Sequence, residues 1–495
     1  MSFIVWAEGW PSQSQSGRIG LPMRPIELCD RLGRWSSGRG PLYVLLAARM
    51  RQLIDDGELP PGVLLPPDRT LAEALAVGRT TVVAAYDLLR SEGRITRRQG
   101  SGTRVAGTPT GADDDAPADP IFLGSLETRD DGVLLAICAA PGEPPPELAE
   151  AYARMIPELG RITGDIGYYP YGHLSLRSAI AERYTRLGVP TVAEQVLVTN
   201  GGQQALSLLA HALVSPGDQV LAEAPTFPGA LEVFREEGAV LRGLPVGLAG
   251  FEAACRDRRP ALAYVIPTYH NPTGSVLPRL DRQRLARAAA AADVPLIEDE
   301  VPADLGFPGQ TRPTPLAAYG SSVISVGSLS KSIWGGLRIG WVRATAPFIT
   351  RLARLRAVHD LGGNVPAQLA AAHLVPQLDS LDVGATLQSR HAHLTTLLAQ
   401  HLPTWTFPTI QGGQVLWIRL PHGDGNSFAQ TALRHGIAVL PGAGLDLTAA
   451  SSTHIRLHFH TPTPTLTESV RRLTTAWHTY QAPTTRPPTR PVIAI

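Results

Sequence analysis

Gly327-Ser328-Leu329-Ser330-Lys331-Ser332-Ile333-Trp334-Gly335-Gly336-Leu337-Arg338 holds the only lysine in a chain of 495 residues. The other 43 of the 44 Lys plus Arg positions are arginine. Arginine can serve an ion pair or a phosphate contact. It cannot form a Schiff base, because guanidinium keeps its proton, whereas a desolvated ammonium can shed one and become a nucleophilic amine. A coding bias toward arginine would remove lysines without regard to place. One retained between a serine pair and a glycine turn reads as kept for its chemistry.

Working outward, further motifs follow short β-rich runs: Thr199-Asn200-Gly201-Gly202-Gln203-Gln204-Ala205, Pro225-Thr226-Phe227, His270-Asn271-Pro272-Thr273-Gly274 and Glu298-Asp299. Taken singly, each has a plainer reading. A strand-end Asp caps helices, a Gly pair turns the chain, and most phenylalanines are core. Taken together they supply what pyridoxal 5'-phosphate (PLP) needs: a lysine for its aldehyde, a carboxylate for its ring nitrogen, a phosphate cup and an aromatic plate. Lys331 provides the amine and Asp299 the ring-nitrogen partner. The 199–205 turn presents backbone N–H groups to a phosphate, aided by Arg338 and the hydroxyls of Ser328 and Ser330. Asn271 can donate to the ring oxygen, and Phe227 can stack on the ring.

The runs before these motifs (195–199, 219–223, 261–266, 294–298 and 322–326) are nearly all apolar and alternate with helical stretches such as 203–213 and 279–292. That pattern predicts an α/β fold with a mainly parallel sheet covered on both faces, its ligands gathered at the carboxyl ends of the strands.

The order and spacing of G-G-Q-Q-A, P-T-F-P, N-P-T-G, E-D and S-x-S-K-x(5)-L-R-x-G resemble the fold-type-I aspartate aminotransferase superfamily over some 350 residues. The resemblance implies that Lys331 is the Schiff-base lysine, with Asp299 on the pyridine nitrogen and Asn271 on the ring oxygen. Gly202, Gln203, Ser328 and Arg338 would hold the phosphate. Arg456, in Ile455-Arg456-Leu457, would grip a substrate α-carboxylate, and Tyr168 would reach the phosphate of a partner subunit. A smaller C-terminal subdomain and a dimer with sites at the interface are also implied. The family places a tyrosine two or three residues after Glu-Asp; here those positions are Val301 and Pro302. The loss of that phenol puts efficient transamination in doubt, although the phosphate grip and the covalent bond remain.

The first 106 residues read differently. Leu42, Leu45, Leu46, Met50, Leu53 and Ile54 recur at helical spacing until Gly57 and Pro60-Pro61-Gly62. A second helix starts near Asp68 or Thr70. Ala76-Val77-Gly78 makes a turn, and Arg79-Thr80-Thr81 opens a third helix that ends at Gly93. Two β-prone arms, Arg94–Arg98 and Gly102–Val105, surround a glycine-rich tip. Helix, turn, helix and hairpin predict a winged helix-turn-helix. From Arg79 to Arg104 there are six arginines and two acids. Thr80, Thr81 and Arg79 stand where a recognition helix meets bases and phosphates, and Arg97 and Arg98 lie on the wing. Leu65 to Ala72, Val77-x-Arg79-x-Thr81-Val82 and Gln99-Gly100-Ser101-Gly102-Thr103 resemble the DNA-binding domain of the GntR family. That resemblance implies Arg69, Arg79, Thr81 and Gly102 at the DNA surface. Joined to an aminotransferase-like domain, it is similar to the MocR subfamily of bacterial regulators.

The expected organisation is a winged helix-turn-helix over 26–106, a Pro/Gly/Asp-rich linker over 107–132, a PLP-binding domain over 133–480 and a disordered tail over 481–495. A net charge of +1 confines any polyanion site to a local patch, and three scattered cysteines fit neither a disulfide framework nor a metal site. No secretory signal or apolar run of membrane length is visible, so a cytoplasmic protein is expected. The resulting expectation is a regulator whose binding to double-stranded operator DNA responds to PLP or to its aldimine with a small amino compound, acting as a head-to-tail homodimer. The alternative is a working aminotransferase with an accessory DNA-binding-like domain.

Overall fold

The computed structural model describes residues 25–33, 35–36, 40–55, 58–59, 63–91, 94–98, 102–105, 134–135 and 142–480. The predicted linker at 107–132, the tail at 481–495, the helix stops at Gly57, 60–62 and Gly93, the wing tip at 99–101 and the side chains of Arg97 and Arg98 lie outside them. Two compact units divide the chain, residues 1–115 and 116–495.

In the smaller unit, α1 (Pro25–Leu32), α2 (Leu42–Asp55), α3 (Asp68–Leu75) and α4 (Arg79–Ser91) pack around Leu46, Met50, Leu53, Leu71, Val82 and Leu89. These are the positions the three-to-four-residue spacing placed on one face. α3 ends on Ala76 in the left-handed conformation, with its N–H returned to the carbonyl of Glu73, and α4 begins after a three-residue turn. Strands β2 (Ile95–Arg98) and β3 (Gly102–Val105) are the predicted wing arms. A third strand, β1 (Leu64–Leu65), pairs antiparallel with β3 on its other side. Two leucines between prolines gave no period to read, and pairing supplied their conformation.

The larger unit begins with β4 (Leu134–Leu135) and is built on β5 (Val196–Thr199), β6 (Gln219–Glu223), β7 (Val240–Leu244), β8 (Leu262–Val265), β9 (Leu296–Asp299), β10 (Val323–Ser328) and β11 (Gly340–Arg343). Their order is β5-β11-β10-β9-β8-β6-β7, with β11 alone antiparallel to its neighbours. Successive residues point to opposite faces. Leu197, Tyr264 and Ile297 join one core under the helices Gly202–Leu213 and Ala346–His359, while Ala263, Val265 and Leu296 join another under Arg279–Ala291. Burial on both faces explains the continuous apolar runs. β9 starts later than its apolar run, because Pro295 lacks a ladder donor; its end extends through Asp299.

The remaining described strands are β12 (Val415–Arg419), β13 (Ile437–Ala438), β14 (Leu440–Pro441) and β15 (His454–His458). β12, β15 and β14 form a second sheet packed with the helices Val383–His401 and Thr463–Thr479 around Leu394, Leu416, Phe428 and Phe459. This is the smaller C-terminal layer. Among the described residues no helix is long and apolar enough to cross a membrane.

Candidate functional site

The register of three neighbouring strands assembles the floor of the site. Thr199 on β5 faces Gly340 on β11, and Gly340 faces Ser328 on β10. The end of β5, the end of β10 and the start of β11 therefore meet at one sheet edge, each about 5 Å from the next. There the helix Gly202–Leu213 begins on Gly201, with no side-chain cap on its first turn. Uncapped N–H groups at a helix start favour an anion. Gly201 has φ +90°, and a Cβ on it would fall 2.6 Å from Arg338 Nη2. The positive φ favours glycine, and any side chain there would displace Arg338.

Arg338 itself has φ +53°, an uncommon value for a residue with a side chain. The strained turn brings its guanidinium back over the cup, where Nη2 donates to the Asn200 carbonyl at 2.5 Å. The hydroxyls of Ser328 and Ser330 lie 2.9 Å apart, and the Ser330 N–H donates to Ser328 Oγ at 3.1 Å. Gly202, Gln203, Ser328, Ser330 and Arg338 are thus drawn together. Gln203 Nε2 donates to the Gly229 carbonyl at 2.8 Å, and its Oε1 is buried without a hydrogen-bond partner. A Cβ on Gly229 would lie 2.5 Å from the Phe227 ring and 2.8 Å from Gln203 Oε1, which sets Phe227 beside the cup.

Asp299 is buried at the end of β9. Its Oδ1 accepts from the Val301 N–H at 2.9 Å and its Oδ2 from the Tyr264 hydroxyl at 2.6 Å. Burial pushes its carboxyl up to about 6, against the pull of both donors. Sequence reasoning missed Tyr264, since one tyrosine in an apolar strand reads as core. Val301, one of the two positions where the related family would carry its phenol, packs close to Gly202: a Cβ on that glycine would meet Val301 Cγ2 at 3.2 Å.

Lys331 is half-buried in the turn after β10. Burial, followed by the charges of His458, Lys331 and Arg390, holds the His460 imidazole down at about 3, so the lysine lies within electrostatic range of a neutral His460. Arg456 is buried on β15 and donates from Nη1 to Asn271 Oδ1 at 3.0 Å. With its oxygen committed to Arg456, Asn271 has its NH2 end left to donate to a ligand. Tyr168 is 60% exposed.

These residues fit PLP. An uncapped helix start with two hydroxyls and a guanidinium suits a phosphate, a buried carboxylate suits a ring N–H, and the single lysine suits the aldehyde.

In the smaller unit Arg69, Arg79 and Thr80 are exposed and Thr81 is half-buried on the first turn of α4. Arg79 Nε donates to Asp68 Oδ2 at 2.9 Å, and Arg69 pairs with Glu73 at 3.3 Å. Gly102 opens β3.

Comparison with known proteins gives two matches within the chain. Residues 130–473 match the family described as aminotransferase class I and II, and residues 42–105 match bacterial regulatory proteins of the gntR family. The uncharacterized HTH-type transcriptional regulator YisV of Bacillus subtilis (strain 168) is 29% identical over 83% of this chain and 91% of its own. The probable rhizopine catabolism regulatory protein MocR of Rhizobium meliloti is 34% identical over 61% of this chain and 65% of its own. Among solved structures, LysN, the α-aminoadipate aminotransferase of Thermus thermophilus complexed with N-(5'-phosphopyridoxyl)-L-leucine, superposes with a TM-score of 0.64. It is 27% identical and covers 72% of this chain and 94% of its own.

Proposed function

Because the chain belongs to the aminotransferase class I and II family, with the gntR-family module of the MocR subfamily at its head, we propose that it is a PLP-dependent transcriptional regulator. The observation that carries this reading is the coexistence, in one chain, of a winged helix with an arginine at the start of α4 and a strand-end cup beside the only lysine.

Bound in the cup, PLP supplies an electrophilic aldehyde and an electron-withdrawing ring. Lys331 holds it through its amine. Gly202, Gln203, Ser328, Ser330 and Arg338 hold the phosphate; Asp299 keeps a proton on the ring nitrogen, and Asn271 donates to the ring oxygen. Phe227 covers one face, and Tyr168 contributes to the site of a second copy. Arg456 orients an incoming carboxylate and already fixes Asn271. The absence of a tyrosine at 301 and 302 favours ligand sensing over turnover.

Residues 26–106 form the DNA reader, 107–132 the connection and 133–480 the sensor. Arg69, Arg79, Thr80, Thr81, Arg97, Arg98 and Gly102 contact operator DNA. The protein works in the cytoplasm as a head-to-tail homodimer. A small amino compound that engages the site shifts the protein between a conformation that binds the operator tightly and one that binds it weakly. It changes operator affinity by no more than its own affinity differs between these two conformations.

The test is a titration of DNA from the gene's own upstream region, with and without PLP and a panel of amines. Wild type is expected to gain visible absorbance with PLP and to change its DNA affinity. Lys331→Ala is expected to lose both responses and keep basal DNA binding. A wild-type protein that stays colourless with PLP, or whose DNA affinity ignores it, refutes the reading.

A further inference from the structure

Asn200, which joins β5 to the helix Gly202–Leu213, has its polar groups engaged on three sides. Its N–H donates to Gln204 Oε1 at 2.7 Å, its carbonyl accepts from Arg338 at 2.5 Å, and its Nδ2 donates to Asp360 Oδ2 at 3.1 Å. Gln204 Nε2 donates to the same Asp360 oxygen at 2.7 Å. Asp360 is 160 residues away in sequence from Asn200, just past the helix Ala346–His359. Its other oxygen accepts from Arg356 Nε and from the Gly362 N–H, both at 3.0 Å.

Arg356 is fully buried, and Asp360 is its salt-bridge partner. A buried guanidinium needs a carboxylate near it, and the pair holds its place because separating it would strand a charge. Burial pushes the Asp360 carboxyl up, but Arg356, Gln204 and Gly362 outweigh this and hold it below the usual carboxylate range. A fixed anion is therefore present to receive two amide side chains from the cup. Gln204 is oriented as a result, with its NH2 on Asp360 and its oxygen on the Asn200 N–H. Asn200 directly precedes Gly201 and Gly202, so the contacts that hold it on three sides also hold the start of that turn.

We infer that Asp360, anchored by Arg356, is a positioning residue for the anion-binding turn Asn200–Gly202, acting through Asn200 and Gln204 without touching the ligand. A pre-formed cup does not have to be ordered when the phosphate arrives, so the cost of ordering it is not subtracted from affinity. This inference rests on the reading of that turn as the PLP phosphate seat.

The experiment uses the full-length chain and two readouts, PLP affinity from a visible-absorbance titration and hydrogen exchange of residues 199–204 in protein stripped of PLP. Gln204→Leu removes the hydrogen bonds that Gln204 makes to Asn200 and Asp360 and leaves the buried Arg356–Asp360 pair intact. It is expected to weaken PLP binding on the order of tenfold and to speed exchange at Asn200 to Gly202. Asp360→Asn is expected to act in the same direction and more strongly; should it fail to fold, Gln204→Leu decides alone. If wild type binds PLP and Gln204→Leu matches it in both affinity and exchange, the inference is overturned while the cofactor reading stands. If wild type does not bind PLP, the cofactor reading falls. Exchange then reports on the turn alone: unchanged exchange in Gln204→Leu overturns the positioning role, and faster exchange upholds the ordering of the turn by Gln204 and Asp360 for an anion other than PLP.

Discussion

Tyr264 donates its phenolic proton to Asp299 Oδ2 at 2.6 Å across two adjacent strands of the main sheet. The register explains the contact: Tyr264 on β8 faces Ile297 on β9, and Asp299 is two residues further along the same face. Diagonal neighbours on one sheet face are within reach of an aromatic side chain. Glu298 and Glu300 point the other way. Glu298 accepts from the Leu316 N–H at 2.6 Å, and Glu300 accepts from the Tyr184 hydroxyl at 2.7 Å. One acid of the three faces the candidate cofactor site because the strand alternates.

Tyr264→Phe removes a donor that stabilises the charged form of Asp299, so its carboxyl, already raised by burial to about 6, is expected to rise further. On the proposed pairing of Asp299 with the ring nitrogen, binding needs the carboxylate, and the acid limb of the affinity–pH curve is expected to move to higher pH in the variant. The phosphate of PLP titrates in the same range, but equally with both proteins, so the difference between the curves reports Asp299. Superimposable curves would show that Tyr264 does not tune this acid.

Gly201→Ala places a methyl group 2.6 Å from Arg338 Nη2 at a φ of +90°. The strain is on the order of 1–3 kcal/mol, and Arg338 must move to relieve it. PLP affinity is expected to fall about tenfold or more in a variant that still folds. Absorbance titration of the purified variant checks this.

Arg79→Ala is expected to weaken binding to the upstream operator by about 1–3 kcal/mol if the arginine reads a guanine. Asp68, now bonded to Arg79, would be left without that partner. Arg98→Ala should weaken binding to every sequence and lower the salt slope by about one. Mobility-shift titrations at several salt concentrations separate the two; wild-type affinity in both variants would remove these assignments.

Burial first, and then the charge of Glu300, pushes the Glu298 carboxyl up to about 8 from an ordinary 4.5. The folded state therefore holds this proton more tightly than the unfolded one. The stability it contributes is complete below the unfolded value and is lost as pH rises toward about 8. Glu298→Gln is expected to flatten that decline in the larger unit, measured by urea denaturation across the interval. An unchanged slope would assign the pH dependence to other groups.

The residues alone determined the order of elements, the winged helix ahead of an α/β unit and the motifs at the strand ends. Lysine chemistry, glycine turns and apolar periodicity are local properties, legible without neighbours. Lys331, Asp299 and the 199–205 turn were proposed as site residues this way. Tyr264, Asp360 and Arg356 were not, because a tyrosine in an apolar strand, an Asp after a helix and one arginine among 43 carry no local signal. Their partners are 35 to 160 residues away along the chain or, for Arg356, within a single helical turn that looks like any other. Strand register and helix packing decided which side chains face each other, and hydrogen bonds, effective only within about 3 Å, turned those juxtapositions into a site.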